Sequence, residues 1–279
     1  MRRISRASFW HSAKCWRDDR RVGRIQVSNE QGRETHMTSQ DMSAEFYRNH
    51  ASQYATVAHE FRQSVYVRSS HPSLRNDWDA LEHLTRLTPG KHGLDAGCGA
   101  GARDVFHLWS QGYDVVGIDA IEENIRVAHD LHPEIADRVF MGDLRQELPF
   151  ADEAFDFVMC NAVIQHIDPE IVRTLVLPEL ARVIRPQGVL QLMFKNGEGS
   201  LSVYDKDYGV ERSFQLYDET GLLEILLQQG MTLVPAESPE GLGGLLYFAD
   251  GKKVDHCLFF TRKVAGSAAS LHHREVGDR

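Results

Sequence analysis

The sequence predicts an α/β domain, a mostly parallel sheet with helices on both faces, over about residues 42–264. Three observations predict it. From Gly93 onward, short apolar strands alternate with amphipathic helices, the pattern of parallel strands joined by crossover helices. A glycine-rich stretch, Gly97 to Gly101, joins the first of these strands to the first crossover helix. Acidic residues, Asp119 and Asp143, follow the second and third strands, where open sheets of this kind bind ligands.

Composition agrees and sets bounds. The chain has 279 residues, 42% hydrophobic and 25% charged, ordinary for a globular protein and enough to bury a sizeable core. Collagen, wholesale disorder and a coiled coil are excluded. No apolar run approaches the ~18 residues of a membrane span, so no membrane partner is expected. Cys15, Cys98, Cys160 and Cys257 lie far apart with no C-x-x-C pair, which argues against a disulfide scaffold or zinc ribbon and for a reducing, cytoplasmic setting. No metal is expected. Residues 1–36 carry nine Lys and Arg against four Asp and Glu, a net +5 that leaves −14 on the remainder of the −9 chain. Such an acidic body disfavours a nucleic-acid partner, although a local basic patch can survive an acidic average.

The first 36 residues show neither helical nor strand period. Two readings compete: an Arg- and Ser-rich transit peptide, and a disordered extension upstream of a start at Met37 or Met42. Residues 1–41 are therefore expected to lie outside the domain, as is the small and polar tail, 265–279, with its solvated His272-His273.

The elements follow in order. Ser43 to about Leu87 reads as helical, with Phe46, Tyr47, Tyr54, Val57 and Phe61 near helical spacing. Ser69-Ser70-His71-Pro72 ends one helix, and Leu74 to Leu87 forms another. Strands are expected at Gly93–Ala96, Asp114–Ile118, Val139–Met141, Phe155–Cys160 and Val189–Phe194. Helices are expected at Ala102–Gln111, stopped by Gly112, and at Glu122–Leu131, whose first-turn acids suit the positive dipole end. Asp168 caps a helix with Pro169 at its first position, running toward Ile184 and kinked at Pro178. Asp218 caps Gly221–Gln229. Met231–Val234 and Cys257–Thr261 read as the last two strands.

The glycine loop carries the chemistry. Glycines let backbone approach a ligand without a Cβ in the way. Asp119 lies 22 residues after Gly97, where a carboxylate can accept hydrogen bonds from both ribose hydroxyls of an adenosine. These facts give a nucleoside cofactor on a Rossmann-like sheet. Gly97, Gly99 and Ala102 also satisfy a loose dinucleotide pattern, G-x-G-x-x-A. Against a dinucleotide, Asp95 is poor company for a pyrophosphate and suits a cationic amino-acid end, and no Tyr-x-x-x-Lys pair is present. Asp143 can accept from the exocyclic amine of adenine, or cap its own turn.

Leu94-Asp95-Ala96-Gly97-Cys98-Gly99, Gly117-Ile118-Asp119, Gly142-Asp143-Leu144, Phe155-Asp156 and the stretch from Leu180 to Gly188 are similar, in order and spacing, to the motifs of class I S-adenosylmethionine-dependent methyltransferases, type 11 above all. That resemblance implies a seven-stranded sheet with its last strand antiparallel, and S-adenosylmethionine as cofactor, leaving S-adenosylhomocysteine as product. It implies that Asp95, Gly97 and Gly99 hold the methionine end, Asp119 the ribose, and Ala120 packs on the adenosine. Asp143 and Leu144 frame the adenine, and Asn161 offers its backbone carbonyl to the methionine amine. Tyr54 and Arg75 are the positions for the family's Tyr and Arg near the methionine carboxylate.

Other residues keep two readings. Cys98 reads as a small packed residue without a partner base. His166 lies where a general base can reach an acceptor hydroxyl, or it simply closes the strand. Asp255-His256 reads as part of a hairpin. The stretch from Lys195 to Arg212, with Tyr204 and Tyr208, reads as a lid or acceptor clamp, or as a solvated loop. The expected activity is methyl transfer to a small-molecule acceptor. Rival readings are a tRNA-base methyltransferase, a nicotinamide-dependent oxidoreductase or epimerase, and a non-catalytic cofactor-binding protein.

Overall fold

Alternation along one central strand shows how the sheet is covered. In Phe155–Asn161 (β5), Val158 and Cys160 join one apolar cluster while Phe157 and Met159 join another. Successive side chains point to opposite faces, so a strand buried on both sides needs helices on both sides. A computed structural model of the chain describes residues 39–61, 64–238 and 240–265. The expectations for residues 1–36, for a start at Met37 and for His272-His273 concern positions outside the described residues.

The described elements begin with α1 (Ser39–Phe61), β1 (Arg68–Ser69), α2 (Asp77–Leu87), β2 (His92–Ala96), α3 (Arg103–Ser110), β3 (Asp114–Asp119), α4 (Glu122–Leu131) and β4 (Val139–Met141), which precede β5. One continuous helical stretch follows, α5 (Pro169–Ile171), a π-turn over Val172–Val176 and α6 (Leu177–Val183). Then come β6 (Ile184–Lys195), β7 (Ser200–Asp205), β8 (Val210–Gln215), α7 (Glu219–Gln228), β9 (Met231–Leu233), β10 (Leu245–Ala249) and β11 (Asp255–Lys263).

The main sheet runs β1-β10-β11-β6-β5-β2-β3-β4, with β9 also beside β11. Strands β4, β3, β2, β5 and β6 are parallel, and β11 is antiparallel to β6. Among the described residues the sheet has nine strands where seven were expected, and β11, the last, is antiparallel to β6 as expected. Strand order reverses at β2, flanked by β3 on one side and β5 on the other. That crevice is the ligand site of open α/β sheets.

Capping explains the helix starts. The Asn76 side chain accepts from Asp79 N, Asp168 from Glu170 N and Asp218 from Gly221 N. The distortion expected at Pro178 takes the form of the π-turn just before it. Proline has no N–H for the Thr174 carbonyl, and the wider turn relieves the ring clash.

Three expectations need correction. The first helix ends at Phe61, and Ser69 lies in β1, which pairs with β10 through Arg68 and Ala249. The penultimate strand is β10. Met231–Leu233 is only a three-residue strand beside the end of β11, which pairs with β9 at Thr261–Lys263 and with β10 at Asp255–Phe259. Gly241, Gly243 and Gly244 precede β10 and disguise it as loop. The stretch Lys195–Arg212 is no irregular loop. Lys195 ends β6, and β7 and β8 form a separate antiparallel hairpin. Among the described residues no helix is long and apolar enough to cross a membrane, and no group of three or more His, Cys, Asp and Glu is disposed to hold a metal.

Candidate functional site

The carboxyl ends of β2, β3, β4 and β5 open into one cavity of about 830 Å³, counting its mouth. Gly97 and Gly99 supply one wall, Asp119, Ala120, Ile121 and Asn124 the next, and Gly142, Asp143, Leu144 and Arg145 a third. Asn161, Ala162, Val163, His166 and Ile167 follow β5, and Ser43, Ala44, Tyr47 and Tyr54 of α1 complete the lining.

The loop after β2 needs its glycines. Gly97 has φ 97°, and a Cβ there would lie 2.4 Å from Val163 Cγ2. Gly97 and Cys98 both donate backbone N–H to Ile118 O, which ties the loop to β3. A Cβ at Gly99 would meet nothing within 4 Å, so the loop faces open space there. Ala162, also in the lining, holds a left-handed φ of 58°, the kind of backbone strain that clusters at ligand sites.

Asp119 is half-buried at the end of β3. Its Oδ2 accepts from Gly99 N at 3.0 Å, and its Oδ1 accepts from Ile121 N at 2.9 Å and Asn124 Nδ2 at 3.1 Å. Burial raises its pKa, against the pull of those hydrogen bonds. Three bonds leave a carboxylate with further acceptor capacity. Asn124 Oδ1 is buried without a partner. Asp95 is buried below the loop, outside the lining, and burial with repulsion from Asp104 and Asp119 pushes its carboxyl well up. At Asp143, burial pushes the pKa up but hydrogen bonds from Arg145 outweigh it and hold the group below the usual range. Arg145 Nη2 donates to Asp143 Oδ2 at 2.7 Å.

His166 sits in a short 3-10 turn after β5, between Ser43 Oγ, 2.9 Å from its Nδ1, and Tyr47 Oη, 3.3 Å from its Nε2. Burial, with Arg212 and Lys195 nearby, pushes its pKa down to about 3. A general base works best with a pKa near the working pH. A ring this hard to protonate, with both nitrogens engaged, is poorly suited to the general-base reading.

Several expected residues lie outside the lining. Arg75 pairs with Asp79 at 2.9 Å and is exposed on the lead-in to α2. Lys195 is buried beside His256, its Nζ 3.2 Å from Nε2, and burial pushes it down to about 8. Asp255 pairs with Arg68. Tyr204 is 57% exposed on the hairpin. Tyr208 and Arg212 pack on the outer side of α1: Tyr208 against Phe46 and Tyr54, and Arg212 over Phe46 at 3.9 Å. Cys98 is a partly buried free thiol whose pKa burial raises, which agrees with a packed role. Sequence reasoning missed Ser43, Ile121, Asn124, Arg145 and Val163. Tyr47 was placed on the leading helix but not at the site. Its i, i+4 and i, i+7 relation to Ser43 and Tyr54 was the signal that could have found one lining face.

Residues 94–192 match the family model described as "Methyltransferase domain". The match makes this segment, about a third of the chain, similar to methyltransferase domains. A curated relative, 2-methyl-6-phytyl-1,4-hydroquinone methyltransferase of Synechocystis, is 32% identical over 107 residues, which cover 38% of this chain and 33% of the relative. The chain thus spans about a third of that relative's length. Two solved structures share the fold. The [4+2]-cyclase SpnF superposes with a TM-score of 0.56 at 16% identity, covering 82% of this chain and 97% of the other. The 1,6-didemethyltoxoflavin N1-methyltransferase of Burkholderia thailandensis, solved with 1,6-didemethyltoxoflavin and S-adenosylhomocysteine, gives 0.55 at 17%, covering 86% and 94%.

Proposed function

We propose that the chain transfers a methyl group from S-adenosylmethionine to a small, largely apolar or aromatic acceptor. The observation that carries this reading is the Asp119 carboxylate, fixed by the glycine loop at the wall of a cavity that continues past Asn161 to Tyr47 and His166. The residues fit the cofactor. Asp119 would take the ribose, Asp143 and Leu144 the adenine, and Gly97, Gly99 and the Asn161 carbonyl the methionine end. Asp95, buried outside the lining, would not contact the methionine end directly. Tyr54 lines the same cavity, but Arg75 does not, so the carboxylate of the methionine end has no arginine from that position.

The cofactor supplies an activated methyl carbon. The chain's own residues orient the acceptor, exclude water and supply hydrogen bonds. In-line alignment of this kind is worth roughly 7–11 kcal/mol in well-oriented model reactions. Tyr47, Tyr54, Leu144, Val163 and Ile167 give the acceptor end apolar and aromatic walls. A phytyl hydroquinone, the compound in the relative's name, belongs to that chemical class. The −14 carried by residues 37–279 supports a small molecule over a nucleic acid.

Calorimetry with S-adenosylhomocysteine tests the reading. Asp119→Ala is expected to weaken binding by about 1.5–3 kcal/mol through loss of hydrogen bonds to a charged group. An affinity equal to the unmodified chain's refutes the ribose role, and tight binding of NAD(H) with none of S-adenosylhomocysteine replaces the reading with the oxidoreductase one.

A further inference from the structure

Three side chains from two elements, Ser43 and Tyr47 of α1 and Arg212 of β8, join His166 in one hydrogen-bonded series. Arg212 of β8 donates from Nη2 to Tyr47 Oη at 3.0 Å. Tyr47 Oη stands 3.3 Å from His166 Nε2, and His166 Nδ1 stands 2.9 Å from Ser43 Oγ. Tyr54 packs edge-on against the Tyr47 ring, with centroids 5.0 Å apart.

The chemistry of the groups sets the direction. Guanidinium only donates, and a phenol carries one proton. With Arg212 donating to its oxygen, Tyr47 turns its own proton to its other hydrogen-bonded neighbour, His166 Nε2. An imidazole that accepts at Nε2 carries its proton at Nδ1 when neutral. Nδ1–H then donates to Ser43 Oγ, and the Ser43 O–H is left for the cavity that Ser43 lines. We infer that Arg212, acting through Tyr47, is a positioning residue that fixes His166 as the Nδ1–H tautomer and so presents the Ser43 hydroxyl to the acceptor as a hydrogen-bond donor.

Arg212 is itself held firmly. Its Nη1 donates to the buried Asp205 at 3.2 Å, while its plane packs over Phe46 at 3.9 Å and Phe214 at 4.9 Å. A planar fork can stack and donate in two directions at once, and a lysine ammonium cannot stack in this way. The hairpin's contribution is therefore a fixed donor behind the cavity wall rather than a residue inside it. A Ser43 donor suits an acceptor with a hydrogen-bond-accepting oxygen beside its nucleophilic atom.

The site assignment rests on the proposed acceptor cavity, but the tautomer is measurable without any ligand. Two-bond 1H–15N correlations on the full chain, with His166 identified by its loss in His166→Gln, read the protonated nitrogen directly. The unmodified chain is expected to show Nδ1–H. Tyr47→Phe and Arg212→Met are each expected to lower the Nδ1–H population at least twofold. Any other state of His166 in the unmodified chain, or an unchanged population in either variant, overturns the inference. If Arg212→Met does not fold, Tyr47→Phe decides, because it keeps the ring on which Arg212 packs. Since no cofactor is added, failure here is distinct from failure to bind S-adenosylhomocysteine.

Discussion

At the scale of single residues, the site depends on groups kept in unusual states by their surroundings. Gly97 holds a backbone that a side chain would strain, and Asp119 holds that loop through Gly99 N. His166 is kept neutral, pushed down to about 3 from an ordinary 6.5 by burial, Arg212 and Lys195. Between those values the unfolded chain takes up a proton there and the folded chain does not. The His166 contribution to stability is thus fully present above about pH 6.5 and is lost as pH falls. Asp95 and Asp119, whose pKa values are raised, act with the opposite sign, so the whole-chain profile mixes both. Comparison with His166→Gln isolates the histidine. From pH 7 to pH 5 the unmodified chain is expected to lose about 1–2 kcal/mol relative to that variant, read from urea unfolding midpoints. Parallel profiles for the two proteins would mean that His166 titrates normally.

At the scale of elements, the turn that carries His166 is anchored from outside the cavity. Tyr217 is buried, and its hydroxyl is shared between Ile164 O at 3.0 Å and Ile167 O at 2.8 Å, the two carbonyls that bracket the turn. Tyr217→Phe keeps the ring and removes the donor both carbonyls share, while Ile164 O keeps its bond from Ile167 N at 2.9 Å. It is expected to cost about 1–3 kcal/mol. Faster hydrogen exchange should be confined to amides from Val163 to Ile167, with the rest of β5 unchanged. Uniformly faster exchange would assign Tyr217 to the core at large. The same scale shows what the sequence discloses. Strand β4 and helix α4 lie where their residues place them, because apolar period, first-turn acids and flanking turns all agree. Strand β10 does not announce itself, since its register comes from pairing with β11, and the glycines before it look like loop. The β7–β8 hairpin is hidden for a similar reason: Gly209 and the turn at Asp205–Gly209 are local, but what Tyr208 and Arg212 touch is α1, more than 150 residues away in sequence.

At the scale of the whole molecule, the legible half of the site is the half built from consecutive strand ends. The glycine loop, Asp119 and Asp143 follow from β-α alternation, with Asn161 added by the family resemblance, because every parallel strand delivers its next loop to the same edge. The half supplied by α1 and by the turn after β5 depends on tertiary packing, which is why Arg75 and Lys195 suited the sequence and not the cavity. This division has a thermodynamic consequence. A ligand in the cavity touches residues from Ser43 to Ile167 at once, so it binds only the folded arrangement and stabilises it by mass action. At one hundred times its dissociation constant, S-adenosylhomocysteine is expected to add about 2.7 kcal/mol. For a domain of this size that corresponds to a rise in Tm of roughly 5–11 °C. NAD+ at the same concentration is expected to leave Tm unchanged. A thermal shift for NAD+ and none for S-adenosylhomocysteine would move the glycine loop from the sulfonium cofactor to a dinucleotide, and would do so whatever the acceptor proves to be.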